Sequence, residues 1–102
     1  MPEQAAAMTG LALMQDVIAG KLPVPPIGPT AGFCLIEVNA GRAVFVGQPS
    51  RAFLNPLGTV HGGWITAILD SSLGCAVHTT LAAGEAYTTL AHATTTCMIF
   101  PA

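Results

Sequence analysis

Hydrophobic positions along the chain follow two rhythms. From Glu3 to Ala19, residues Met8, Leu11, Met14 and Ile18 recur at helical spacing, and Gly20 is a natural stop. Lys21 follows where a cation suits the negative end of the helix dipole. The run Pro23-Val24-Pro25-Pro26-Ile27-Gly28-Pro29 predicts a stiff extended connector. Gly32 to Val38 and Arg42 to Gly47 predict two strands. Asn39-Ala40-Gly41 between them is hairpin chemistry, with Gly supplying a positive φ. Gln48 to Val60 is a loop rich in turn formers. From Gly63 to about Thr80 apolar residues crowd most of a helix circumference, among them Trp64, Ile65, Ile68, Leu69, Leu73 and Val77. Such a helix predicts cover from both a sheet and a partner. Ala86 to Phe100, rich in Thr and β-branched residues, predicts a strand. The organisation expected is one domain over 1–102, with an N-terminal helix over 3–19, a connector over 23–29 and a core over 32–102.

Composition sharpens this picture. The chain has 102 residues, of which 52% are hydrophobic and 8% charged, against about 25% charged in ordinary soluble domains. So few charges predict apolar surface buried in a homodimer or homotetramer. A net charge of −2 with no basic patch argues against nucleic acid as a partner. Mean hydropathy is +0.63, yet the uncharged stretch from Ala52 to Leu69 contains Asn55, Pro56 and His61 and does not predict a membrane span. The start Met1-Pro2-Glu3-Gln4 lacks the basic region of a secretory signal. Cys34, Cys75 and Cys97 are an odd number without paired spacing. They predict buried thiols in a reducing cytoplasm. His61, His78 and His92 have no metal-type spacing, so neither metal nor cofactor is expected.

The segment that carries chemistry is Asn55-Pro56-Leu57-Gly58-Thr59-Val60-His61-Gly62-Gly63, followed by a helix with Asp70 inside it. Read singly, each feature is ordinary. A helical Asp is most often structural or solvated, a Gly pair is most often a turn, and one His is most often a satisfied loop residue. Asp is nevertheless a poor helix-interior residue. Gly62 and Gly63 at a helix start leave N–H groups open to a carbonyl oxygen or an anion.

The order and spacing of these residues resemble the hotdog-fold acyl-CoA thioesterases of the PaaI-like family. The matching pattern is a loop Asn, a Gly, His-Gly-Gly and then a helical acid. Asn55, Gly58, His61, Gly62, Gly63 and Asp70 fall in place. The resemblance extends over Pro26 to Val46 and through Gly74-Cys75-Ala76-Val77-His78 to Tyr87-Thr88-Thr89-Leu90. It implies an α+β hotdog fold, an antiparallel sheet wrapped around a central helix, here incomplete and with an extra N-terminal helix. The resemblance further implies that an internal segment is missing near Leu90, and with it any basic residues that would meet the CoA phosphates. The lower stability and weak CoA binding expected of the shortened chain follow from the same gap.

The resemblance also implies a mechanism for cleaving the thioester of an acyl-CoA. Asp70 acts as general base or nucleophile, and Gly62 polarises the carbonyl through its N–H. Asn55 orients the attacking water or the acid, and His61 shapes the carbonyl side. Gly63, Gly74, Thr88 and Thr89 fall where substrate would lie. Physical chemistry suits each role, since a helix N-terminal N–H stabilises a developing oxyanion. Gly62 and Asp70 are eight residues apart, roughly 12 Å along a helix. They therefore cannot meet within one helix, and the expected site lies between two antiparallel helices of two subunits. The alternative is a catalytically silent hotdog remnant that only self-associates. A dehydratase of 3-hydroxyacyl thioesters would need a different arrangement of His and acid.

Overall fold

The computed structural model of the chain describes residues 8–89. The first element is helix α1, Gly10–Ile18. The Thr9 hydroxyl caps it by accepting from the Ala12 N–H at 3.2 Å. The helix predicted over 3–19 is thus shorter at its start, because Met8 and Thr9 are outside it and Thr9 serves as the cap; residues 3–7 lie outside the described residues.

The stiff connector predicted over 23–29 is also corrected. Its second half turns into a short helix α2, Ile27–Ala31. Pro26 has a helical φ of −56° at the cap position. Pro29 lies in the first turn, where a missing N–H leaves no bond unmade. Gly32 ends α2 with φ 81°, and its N–H donates to the Gly28 carbonyl at 2.8 Å. That left-handed position removes Gly32 from the strand predicted over 32–38.

Strand β1, Phe33–Asn39, pairs antiparallel with β2, Arg42–Gly47, through a tight turn in which Gly41 has φ 73°. The ladder slips by one residue between Leu35 and Glu37. Phe33 and Leu35 face the core ahead of this bulge and Val38 faces it beyond. A regular strand would send Glu37 inward; the extra residue Ile36 shifts the phase and leaves Glu37 exposed. Glu37 lies 3.9 Å from Arg42, an exposed ion pair that contributes little to stability.

Helix α3, Gly62–His78, lies mainly against β2. It starts one residue before the predicted Gly63 and ends before Thr79. The core joins Leu13, Met14 and Leu22 to Val38, with Leu35 and Cys75 packed against them. Beside it, Phe33 meets Phe45 and Trp64 edge-to-face. The Trp64 indole N–H donates to the Ala31 carbonyl at 2.7 Å, tying α3 to α2. The architecture is mixed α+β, a two-stranded antiparallel sheet with helices packed against it. Of the strand predicted over 86–100, residues 86–89 form no strand, and residues 90–100 lie outside the described residues. Among the described residues, no helix is long and apolar enough to cross a membrane.

Two close contacts fix α3. Gly10 donates its N–H to the Leu81 carbonyl at 3.0 Å, and a Cβ at Gly10 would overlap the His78 carbonyl oxygen. Thr79 is buried; its hydroxyl accepts from the Gly41 N–H at 2.7 Å and donates to the Ala76 carbonyl at 2.6 Å. It thereby ties the hairpin turn to the end of α3. Thr79→Val, nearly isosteric, leaves the Gly41 N–H without that partner and should lower stability by about 1–3 kcal/mol in urea denaturation. Gly10→Ala forces α1 away from α3 and should cost a similar amount, about 1–3 kcal/mol, by the same measurement.

Candidate functional site

The sequence-predicted residues fall into two groups on this chain. The first surrounds the start of α3. Residues 53–61 form a closed loop: Leu54 bridges Val60, and the His61 N–H reaches the Phe53 carbonyl at 2.8 Å. Inside it, Pro56 follows Asn55 in a turn closed by the Gly58 N–H on the Asn55 carbonyl at 2.9 Å. The Asn55 amide donates to Thr59 Oγ1 at 3.1 Å and to the Val60 carbonyl at 3.5 Å. Within one chain, Asn55 therefore holds its own turn.

His61 caps α3, its Nδ1 accepting from the Gly63 N–H at 2.7 Å. An accepting Nδ1 leaves the proton of the neutral ring on Nε2. A Cβ at Gly63 would press on the His61 ring, so this glycine makes room for the cap. Gly62 differs. A Cβ there would meet nothing within 4 Å, and its N–H makes no hydrogen bond among the described residues. Packing among the described residues does not require glycine at 62.

The second group surrounds Asp70, two turns further along α3. Thr89 Oγ1 donates to Asp70 Oδ1 at 3.3 Å. Asp70 lines a largely apolar cavity of about 850 Å³. Met14 and Ile18 of α1, Val24 and Ile27 before and within α2, and Phe33 and Phe45 of the hairpin form much of its wall. Cys75 and Tyr87 complete the wall near the carboxylate. Asp70 itself is exposed. Gly74, expected to leave room for substrate, is buried instead, its open side filled by the Tyr87 hydroxyl. Thr88 is exposed and makes no side-chain hydrogen bond among the described residues.

The structure thus places Asp70 at the cavity, with Thr89 bonded to it and Gly74 beneath the Tyr87 ring, and gathers Asn55, His61, Gly62 and Gly63 at the helix start. It does not bring the two groups together in one chain. Tyr87 and Cys75 were missed by sequence reasoning. The signal for Tyr87 was the alternation Tyr87-x-Thr89, which puts both side chains on one side of an extended segment. The expectation of buried thiols fails for Cys34, which is exposed, and holds in part for Cys75, which is half-buried; Cys97 lies outside the described residues. Among the described residues, no three His, Cys, Asp or Glu side chains cluster as a metal site would require. No protein-family model, curated protein or solved structure matches the chain.

Burial pushes the Cys75 thiol above its ordinary value of 9.0. Burial also raises the Tyr87 phenol above 10.0, and the negative charges of Cys75 and Asp70 add to the rise. Both groups are neutral when protonated, so in alkali the unfolded chain gives up these protons first. Their contribution to stability is complete below about pH 9 and is lost as pH rises through the folded values. Urea midpoints should be level up to about pH 9 and fall beyond it, with a shallower fall in Cys75→Ala. Removing the cap by His61→Ala should cost about 0.5–2 kcal/mol at neutral pH, read from the same midpoints.

Proposed function

We propose that this chain is a thioester hydrolase acting on acyl-CoA, with a hotdog fold completed by a second copy. The observation that carries this reading is the Asp70 carboxylate, held by the Thr89 hydroxyl, on the wall of an apolar cavity. A base placed there can take a proton from water while the acyl chain lies in the cavity. The resulting hydroxide adds to the thioester carbonyl, the oxyanion collapses, and the carbon–sulfur bond breaks to give the acid and CoA. The sulfur leaves with the proton that Asp70 had taken.

The oxyanion needs a donor, and Gly62 is suited to supply one. Its N–H is open among the described residues, at the start of a 17-residue helix. Gly62, Thr66 and Asp70 are spaced four apart along one side of α3. Two such helices packed antiparallel about Thr66 would set Gly62 of one opposite the partner's Asp70. The adjoining stripe of Ile65, Leu69, Leu73 and Val77 is between 46% and 57% exposed, which leaves apolar surface for that contact. The same stripe favours the second reading, a silent remnant that only self-associates. Activity separates the two.

Asp70→Asn keeps the shape of the side chain and removes the base. It should lower kcat on acyl-CoA by about a hundredfold or more, measured by release of free thiol. Retention of most of kcat would overturn the assignment of Asp70. Wild-type protein that releases no thiol from any acyl-CoA would favour the silent remnant. The assembly should sediment at twice the 10.4 kDa mass of one chain or more, and Leu69→Glu in the exposed stripe should shift it toward monomer. A folded wild-type monomer at micromolar concentration would remove the two-chain site.

A further inference from the structure

Gly74 is the one buried residue of α3 among the described residues. What buries it is Tyr87. The phenol oxygen and two ring carbons of Tyr87 fill the space where a Cβ at residue 74 would stand. On its other side the ring meets the His78 imidazole edge-to-face, with centroids 5.9 Å apart. The tyrosine is therefore held between a notch and an aromatic neighbour, although the segment carrying it, 82–89, is exposed and has no regular structure.

From this seat the ring forms part of the cavity wall beside Asp70 and Cys75. Its hydroxyl makes no hydrogen bond among the described residues. We propose that Tyr87 sets the size of the acyl group that the cavity accepts, with Gly74 as the seat that fixes the ring. This inference rests on the thioesterase reading of the same cavity. A ring at the wall occupies volume that a longer chain would otherwise fill. Each methylene moved from water into an apolar cavity tightens binding by about fourfold. Removing the ring therefore shifts preference toward longer chains, and enlarging it shifts preference toward shorter ones. An alanine at 74 evicts the ring from its seat, so its effect passes through Tyr87 and disappears when the ring is already gone.

The test compares straight-chain carboxylates of increasing length, titrated calorimetrically against the full chain, with turnover of the matching acyl-CoAs. Tyr87→Ala should favour chains longer by two methylenes by about tenfold or more relative to wild type. Tyr87→Trp should move the profile the other way, and it keeps an aromatic ring on α3 if the alanine variant folds poorly. Gly74→Ala should alter the profile, while Gly74→Ala combined with Tyr87→Ala should match Tyr87→Ala alone. A wild-type profile in both Tyr87 variants overturns the proposal, as does simple addition of the two single effects. Failure of wild type to bind any of the carboxylates overturns it as well. If carboxylates bind with the expected shifts but no acyl-CoA is hydrolysed, Tyr87 keeps its role at the cavity and the thioesterase reading falls. If acyl-CoA is hydrolysed through Asp70 and the Tyr87 profiles do not move, the thioesterase reading stands and this inference falls.

Discussion

The structure depends on how one apolar helix is covered. Helix α3 carries apolar side chains on most of its circumference, and β2 is its main neighbour, with α1 and β1 touching it less. The contacts that hold it at its C-terminal end are close and specific. Gly10 lets α1 approach the His78 carbonyl, and the Thr79 hydroxyl serves the hairpin turn and the helix end together. At the other end Trp64 reaches the carbonyl of Ala31, the last residue of α2. Apolar burial supplies attraction without direction. These polar contacts supply the direction, and they decide which side of α3 meets the sheet and which side remains for something else.

That division of the helix places the two halves of the candidate site. The loop before α3 holds itself together through Asn55 and Thr59, and it delivers His61 as a cap with Gly62 open beside it. The cavity opens two turns on, where Asp70 meets Thr89. An acid and an open N–H on one straight helix cannot converge on a single carbonyl. The chemistry proposed for this chain therefore requires a second helix, and the low charge of the surface makes such a partner physically reasonable.

Much of the local structure was legible in the sequence. Strand β2 and the turn at Gly41 followed from the Asn39-Ala40-Gly41 hairpin signal between two strand-like runs, with a glycine where positive φ was needed. The ends of the helices were less legible. Thr9 became a cap rather than part of α1, because a hydroxyl that serves an open N–H is worth more at a helix start than inside it. The proline run did not stay extended, since Pro26 and Pro29 fall where helix starts tolerate proline. At the candidate site, residue types and spacing were readable, but side-chain occupancy was not. Gly74 looked like space for a ligand, yet a tyrosine thirteen residues later fills it. No local pattern announces a contact made across a loop.

The bulge in β1 bears on how this chain tolerates change in length. Ile36 is supernumerary to the ladder, since Leu35 pairs with Phe45 and Glu37 with Val44. Deleting one residue here would leave a hairpin that is more regular on paper. It would also keep the inward phase, with Leu35 and Val38 toward the core and Glu37 outward, because the ladder partners of these residues already run in unbroken order. Strands are commonly read as tolerant of substitution and intolerant of insertion. Here the strand already carries one extra residue, absorbed by the bulge, and losing it would leave the remaining side chains in frame.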